Sequence, residues 1–264
     1  MGKFDGYLIC SDFDGTMAHQ AKVSRETCDA IAYFQSEGGV FCPCSGRETS
    51  FFHEYEDFFR PNDYVIGHNG SAIVRYGADG KEDELLYLGE TPIGDAKEFV
   101  RDMLAMKGVR RISVIWFDHY GCLFTEIGKR FEDAVEITVD DIDTPPQKIL
   151  VVHDGTNIDA IRSFAENKYS DRFSLGSSWV YGYEGQALGT SKGDSALRVK
   201  EMAGAHTLIC VGDYANDIPM LRVADISYAV GDAIDEVKAA AQRITVPCTE
   251  HAIPHIIADI EAEL

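Results

Sequence analysis

The sequence predicts an α/β protein: a doubly wound, Rossmann-like parallel-sheet core with an α+β cap domain inserted into it. Three observations carry this. Short apolar runs alternate with helix-period segments at both ends of the chain. The runs at the ends stop abruptly in Asp, Ser or Gly clusters, and hairpin-like strands occupy the middle. The 264 residues are 45% hydrophobic and 11% aromatic, enough for a packed core and unlike a disordered or collagen-like chain.

The elements follow in order. Residues 7–12 (YLICSD) read as a buried strand running into a Gly-containing turn. Residues 24–38 carry a helix, with Ser24 as N-cap, Thr27, Ile31 and Phe34 on one face, and Gly38-Gly39 as the stop. Val40–Cys44 is the next strand, ending at Ser45-Gly46; Thr49–Phe59 is read as helical and Tyr64–Ile66 as a strand before Asn69-Gly70. At the other end, Lys192–Ala203 is a helix stopped by Gly204, and Thr207–Val211 a strand ending at Gly212-Asp213. A helical turn near Pro219–Arg222, strand Ile226–Val230, helix Ala233–Gln242, strand Ile244–Val246 and a terminal helix complete the core.

The middle reads as strand Leu85–Leu88, helix Gly94–Lys107, strands Arg111–Phe117 and Cys122–Glu126, and a helix near Phe131–Val135. Strand Lys148–Val152, helix Asn157–Glu166 and strand Phe173–Tyr183 follow. The expected division is a discontinuous core, 1–82 and 187–264, around a cap at 83–186 that sets substrate specificity. No internal repeat or long linker interrupts it.

Forty-four acidic against 24 basic side chains give a net charge of −20, spread over all three stretches as a solvated surface would be. Nucleic acid and anionic membranes are poor partners for such a chain, because both call for clustered Lys and Arg. No apolar run approaches 18 residues, and the start resembles no signal peptide. The seven cysteines show no paired spacing, and Cys42-x-Cys44 lacks a second pair at zinc spacing. A reduced, cytoplasmic protein is expected.

Four short constellations carry chemistry. Asp12-Phe13-Asp14-Gly15-Thr16 and Gly212-Asp213-Tyr214-Ala215-Asn216-Asp217 each follow an apolar strand directly. Ser45-Gly46-Arg47 ends another strand, where a hydroxyl and following amides can donate to phosphate oxygens. Ser191-Lys192-Gly193 opens a helix, a position where a lysine opposes the helix dipole unless it faces an anion. Each alone has a plain structural explanation: an Asp-Gly turn, an acid-decorated helix start, an N-cap, a surface Lys. Together they change the balance, because three of the four fall at the carboxyl edge of one parallel sheet, where such folds bind ligands. Gathered carboxylates repel one another and drift toward the neutral form. A hard divalent cation with oxygen ligands resolves that conflict, and Mg²⁺ suits a few carboxylates plus a phosphate oxygen. One carboxylate can then act as nucleophile and another as general acid/base.

In order, these four stretches resemble the signatures of the haloacid dehalogenase superfamily, and Asn216-Asp217-Ile218-Pro219-Met220-Leu221 resembles its Cof-type branch with a type IIB cap. The resemblance covers the whole chain. It implies a phosphatase acting on a small phosphorylated metabolite, with a sugar phosphate the first guess. Asp12 would attack phosphorus to give an aspartyl-phosphate; Asp14 would protonate the departing alcohol and then activate water. Ser45 and Lys192 would hold the phosphoryl group, with Gly46, Arg47, Asn69 and Asn216 as further phosphate or substrate contacts. Mg²⁺ would rest on Asp12, the Asp14 main-chain carbonyl and Asp213, with Asp217 orienting the metal shell or Lys192. An acid at position 14 argues against a dehalogenase or phosphonate hydrolase. The alternatives are a phosphomutase, although Gly212–Asp217 is more compact than the related mutase signature, and a non-catalytic sensor of phosphorylated metabolites.

Other residues are set aside. His251 and His255 are separated by Pro254 and have no matching carboxylate, and His53 lacks the second His of a zincin motif. Trp116, Phe117 and Trp179 read as cap core. His119, Tyr120, Arg110 and Arg111 are weaker candidates for cap contacts.

Overall fold

The computed structural model describes residues 2–56 and 59–264. They divide into two compact units, one of residues up to Tyr87 with Ser191–Leu264 and one of Leu88–Thr190.

The first unit begins with β1 (Tyr7–Ser11), whose Leu8, Ile9 and Cys10 are fully buried. A strand covered on both faces needs a continuous apolar run, not alternation, and YLIC supplies one. A small hairpin follows, β2 (Ala18–His19) with β3 (Lys22–Val23). In α1 (Arg25–Ser36) the Ser24 Oγ accepts from the Thr27 N–H at 3.1 Å, and Thr27, Ile31 and Phe34 form the buried stripe. Gly38, at φ +91°, turns the chain out of that helix. Next, β4 (Val40–Pro43) returns parallel to β1.

Thr49–Tyr55 is a 3₁₀-helix within the stretch read as helical over Thr49–Phe59, of which residues 57 and 58 lie outside the described residues. The tighter winding eclipses side chains three apart, and Phe52 and Tyr55 accordingly both meet the Phe13 ring, at 5.5 and 5.0 Å. Then β5 (Tyr64–Gly67), β6 (Ala72–Arg75) and β7 (Glu84–Leu88) make a three-stranded sheet in that order. The strand read as the start of the cap thus pairs back onto the first unit. The break between units falls after Tyr87, beyond the 82/83 boundary expected from sequence.

The second unit contains α2 (Ile93–Ala105), β8 (Val109–Ile115), β9 (Tyr120–Phe124) and β10 (Lys148–His153). It ends with α3 (Ile158–Tyr169), β11 (Phe173–Trp179) and β12 (Gly182–Ala187). Its sheet, ordered β11-β12-β10-β8-β9, is antiparallel throughout. One face packs Ile112, Val114, Ile149 and Val151 against Phe99 and Met103 of α2 and Ile161 and Tyr169 of α3. Two expectations fail here. No helix forms near Phe131–Val135; instead the Cys122 N–H donates to the Val135 carbonyl and the Ile137 N–H to that of Cys122, so the chain runs alongside β9. The single strand read over Phe173–Tyr183 is a hairpin broken at Val180-Tyr181.

The chain re-enters the first unit through α4 (Lys192–Met202), capped by Ser191, whose Oγ accepts from the Asp194 N–H, and followed by Gly204 at φ +62°. Then come β13 (Thr207–Gly212), α5 (Ile218–Val223), β14 (Ile226–Ala229), α6 (Asp235–Ala240), β15 (Arg243–Ile244) and α7 (Ala252–Glu261). The five-stranded parallel sheet has the order β15-β14-β13-β1-β4. From β1 the chain moves outward one way to β4, and from β13 the other way through β14 to β15. The connections therefore diverge between β1 and β13, which leaves a crevice at their carboxyl ends, the usual ligand position of such sheets. No helix among the described residues is long and apolar enough to cross a membrane.

Candidate active site

Asp12 leaves β1 at that crevice, 6% exposed, its N–H bonded to the Val211 carbonyl of β13. The chain then turns at Gly15, where φ is +85° and a Cβ would stand 2.6 Å from Asp213 Oδ2. Glycine lets the turn lie directly against Asp213. Thr16 seals the contact by donating to Asp213 Oδ1 at 2.8 Å.

Asp217 reaches back to the same place. Its Oδ2 accepts from the Asp213 and Tyr214 N–H groups at 2.9 and 3.0 Å, and its Oδ1 accepts from Lys192 at 2.6 Å. Lys192, at the start of α4 and fully buried, also donates to Asp12 Oδ1 at 2.5 Å. Carboxylate oxygens of Asp12, Asp213 and Asp217 lie within 4.8 Å of one another.

A second group gathers the phosphate-contact candidates. The Ser45 Oγ accepts from the Arg47 N–H, and its carbonyl from the Asn69 N–H. Asn69 sits in the left-handed region at φ 57° and accepts through Oδ1 from Asn216 Nδ2 at 2.9 Å. A Cβ on Gly46 would come 3.0 Å from that Asn69 oxygen. Ser45, Asn69 and Asn216 are thus joined by hydrogen bonds, with Gly46 lying close against Asn69.

Asp14 and Arg47 form a third group. The guanidinium donates from Nε and Nη2 to the two Asp14 oxygens, at 2.6 and 2.8 Å, and lies 4.1 Å over the Phe51 ring. The Asp14 side chain is half-exposed and occupied by this pair, so Arg47 is turned to a neighbouring acid. Reading the sequence missed this pair, as well as the Asn69–Asn216 bond and the part of Thr16. Thr16 at least had a signal, since it closes the Asp-rich turn.

The electrostatics of the innermost group are unbalanced. One ammonium faces three carboxylates. Burial opposes the charge on Lys192, but Asp12 and Asp217 overrule it and hold its pKa above the ordinary lysine value. Burial, reinforced by Asp217 and Asp213, pushes Asp12 well up despite Lys192. Burial and Asp217 raise Asp213 to about 6. Two acids pushed toward the neutral form, with oxygen donors aimed at one point, fit a hard divalent cation. Asp12 and Asp213 have the freer oxygens, whereas Asp217 is already engaged on both.

A family description, haloacid dehalogenase-like hydrolase, matches residues 9–257. The chain is 25% identical to YxeH of Bacillus subtilis (strain 168), over 96% of this chain and 97% of that one. It is 24% identical to 5-amino-6-(5-phospho-D-ribitylamino)uracil phosphatase YitU of the same organism, over 95% and 96%. Among solved structures, a haloacid dehalogenase-like hydrolase from B. subtilis superposes with a TM-score of 0.82 at 18% identity, over 95% of this chain and 98% of that one. The subclass IIB sugar phosphatase BT4131 superposes at 0.80 and 19% identity, over 96% and 98%.

Proposed function

This chain belongs to the haloacid dehalogenase-like hydrolase family and is a phosphatase, and from that premise we propose a Mg²⁺-dependent phosphomonoester hydrolase working through an aspartyl-phosphate on Asp12. The observation that carries this reading is the buried Lys192 bridging Asp12 and Asp217 beside Asp213 at the divergence of β1 and β13. Lys192 takes one oxygen of Asp12 and so fixes which oxygen is left for phosphorus. That oxygen bonds to phosphorus as the ester P–O bond breaks, and Asp14 gives a proton to the departing alkoxide. In the second half, Asp14 takes a proton from water, whose oxygen displaces Asp12 and releases inorganic phosphate.

Phosphoryl transfer asks for positioning and charge neutralisation more than covalent help. Lys192 supplies the fixed positive charge, and the Ser45 hydroxyl with the Asn69–Asn216 pair would hold the equatorial oxygens. Asp12, Asp213 and the Asp14 carbonyl would hold Mg²⁺, which when bound neutralises the remaining negative charge of site and substrate. Asp217 positions: it orients Lys192 and the Asp213 backbone. Asp14 can act only after releasing Arg47, so the paired state is one in which the proton carrier is held back.

For substrate class we infer a phosphate on a primary hydroxyl of a polyol chain, a sugar phosphate first. One similar protein is named for a phosphate at the end of a ribityl chain, and another is named a sugar phosphatase. Selection among such substrates is assigned to the Leu88–Thr190 unit.

The deciding experiment is an acid quench during turnover of a labelled sugar phosphate with Mg²⁺. Label trapped on the Asp12 peptide, with stoichiometric release of inorganic phosphate, is expected. Turnover without trapped label and without inhibition by beryllium fluoride would remove the covalent route. Transfer to a second hydroxyl in place of release would make the protein a mutase.

A further inference from the structure

The β2–β3 hairpin, with His19 and Lys22 exposed, and the turn at 248–251 line a half-open cavity of about 220 Å³. Its walls include Met17 and Cys248, and its polar lining includes His19, Lys22, Thr249 and His251. No Asp or Glu lines it, in a chain with 44 acids. His19 and Lys22 are direct cross-strand partners, and so share one face of the hairpin. Among the described residues, none of His19, Lys22 and His251 has a carboxylate within ion-pair distance. The acids nearby act on the Cys248 wall: burial, then Asp232, Asp213 and Asp12, push its thiol up to about 12, and Asp232 accepts from the Cys248 N–H.

The backbone around this cavity is held in an unfavourable form. Gln20 and Ala21 at the hairpin tip and His251 across from it all have positive φ, at 50°, 57° and 61°. Such a conformation is disfavoured for a residue with a Cβ and persists where the surroundings impose it. A weakly apolar floor with a few convergent donors is the usual make-up of a small-ligand site. Lysine, imidazole and hydroxyl donors without an acceptor-only group select an anion.

We propose that this cavity binds a small multivalent oxyanion of the phosphate class, at a position distinct from the phosphoryl site on Asp12. Its occupant would also be felt at the reacting turn. The Gly15 N–H donates to the Ala18 carbonyl and the Ala18 N–H to that of Phe13, so the hairpin is continuous with the turn bearing Asp14. An anion joining Lys22 to His251 ties the hairpin to the 248–251 turn and stiffens that segment.

The test is calorimetric titration of inorganic phosphate into the Mg²⁺ enzyme filled with beryllium fluoride, with sodium chloride matching ionic strength. One saturable phosphate site is expected in wild type, at least tenfold weaker in Lys22→Met and in His251→Gly. His251→Gly should also raise Tm by relieving the left-handed strain, so its loss of binding cannot come from unfolding. Saturable binding no stronger than with chloride, or equal binding by both variants and wild type, overturns the proposal. Should beryllium fluoride fail to occupy Asp12, wild type would show two phosphate events and Lys22→Met one, which separates the two questions.

Discussion

Two groups of three acids, one in each unit, are handled in opposite ways. On α2, Asp95, Glu98 and Asp102 share a face turned to α3 and the residues after it. Arg172 bonds Asp95 and Glu98 at 2.8 Å each, and Lys168 bonds Asp102 and Glu98 at 2.5 and 2.9 Å. Arg172 and then Lys168 hold Glu98 down at about 2. Asp102 feels some burial, but Lys168 and Tyr169 bring it below the ordinary carboxylate value. At the β1/β13 edge three acids share one buried lysine, and Asp12 and Asp213 are pushed up. The difference is the ratio of bases to acids under burial. The α2 group is complete as it stands. The edge group has acids in excess, and a divalent cation, as proposed, would balance it.

The strongest way to break this contrast is to neutralise one acid in each group. Asp12→Asn should lower kcat by about 10⁴-fold or more, as loss of a covalent nucleophile does. Glu98→Gln should leave turnover unchanged. Without metal, Asp12→Asn should also raise Tm, because it relieves repulsion. Steady-state rates and melting curves on both variants check this, and a lower metal-free Tm for Asp12→Asn would undo the account of acids in excess.

Removing a base sharpens it next. Lys192→Met leaves Asp12 and Asp217 buried without their cation, a loss of about 3–5 kcal/mol. Lys168→Met removes a partly exposed cation, leaving Glu98 with Arg172 and Asp102 with the Tyr169 hydroxyl, and should hardly move the midpoint. Urea midpoints at pH 7 measure both.

The pH dependence should carry opposite signs in the two groups. The folded value of Asp213, about 6, lies above its unfolded one near 3.9. Its contribution to stability is therefore full below the unfolded value and lost as pH rises through about 6, a change on the order of 3 kcal/mol. Glu98 is depressed, so its contribution is full above its unfolded value and lost as pH falls through about 2. Metal-free enzyme should thus lose Tm between pH 4 and 6, the window set by the Asp213 shift. Mg²⁺ should restore it, and Asp213→Asn should flatten that slope. Glu98→Gln should flatten only the acid limb.

The edge group was largely legible in the sequence for a mechanical reason. The apolar runs of β1 and β13 end abruptly in Asp12 and Gly212-Asp213, so the strands themselves point at the site. What stayed hidden depends on partners distant in sequence or on weak punctuation. Nothing local announces that Arg47 will leave the phosphate turn for Asp14, 33 residues away. The two-residue strands of the β2–β3 hairpin are too short for any period to register. The β11–β12 turn is Val180-Tyr181, apolar residues that read as uninterrupted strand. The α2 group needs α3 and Arg172 to close, so its acids looked like ordinary solvated charge.

The Asp14–Arg47 pair lies between the two extremes and should give the smallest effect. It is a bidentate pair, unlike the single-atom contacts on α2, and its acid belongs to the reacting set. With both side chains part-exposed, the pair is worth at most about 1 kcal/mol, so Arg47→Met should hardly move Tm. Its consequence for rate depends on the leaving group. An aryl phosphate departs without a proton, and its first step should be indifferent to how Asp14 is held. An alkyl phosphate needs that proton in the transition state, where a positioned acid contributes about 10²–10⁴-fold. If Arg47 only restrains Asp14, Arg47→Met should raise kcat for a sugar phosphate a few-fold relative to an aryl phosphate. If it instead delivers Asp14 in the correct orientation, the same ratio should fall. Because each substrate controls for the other, a change common to both would mean that Arg47 acts on the phosphoryl group directly and not through Asp14.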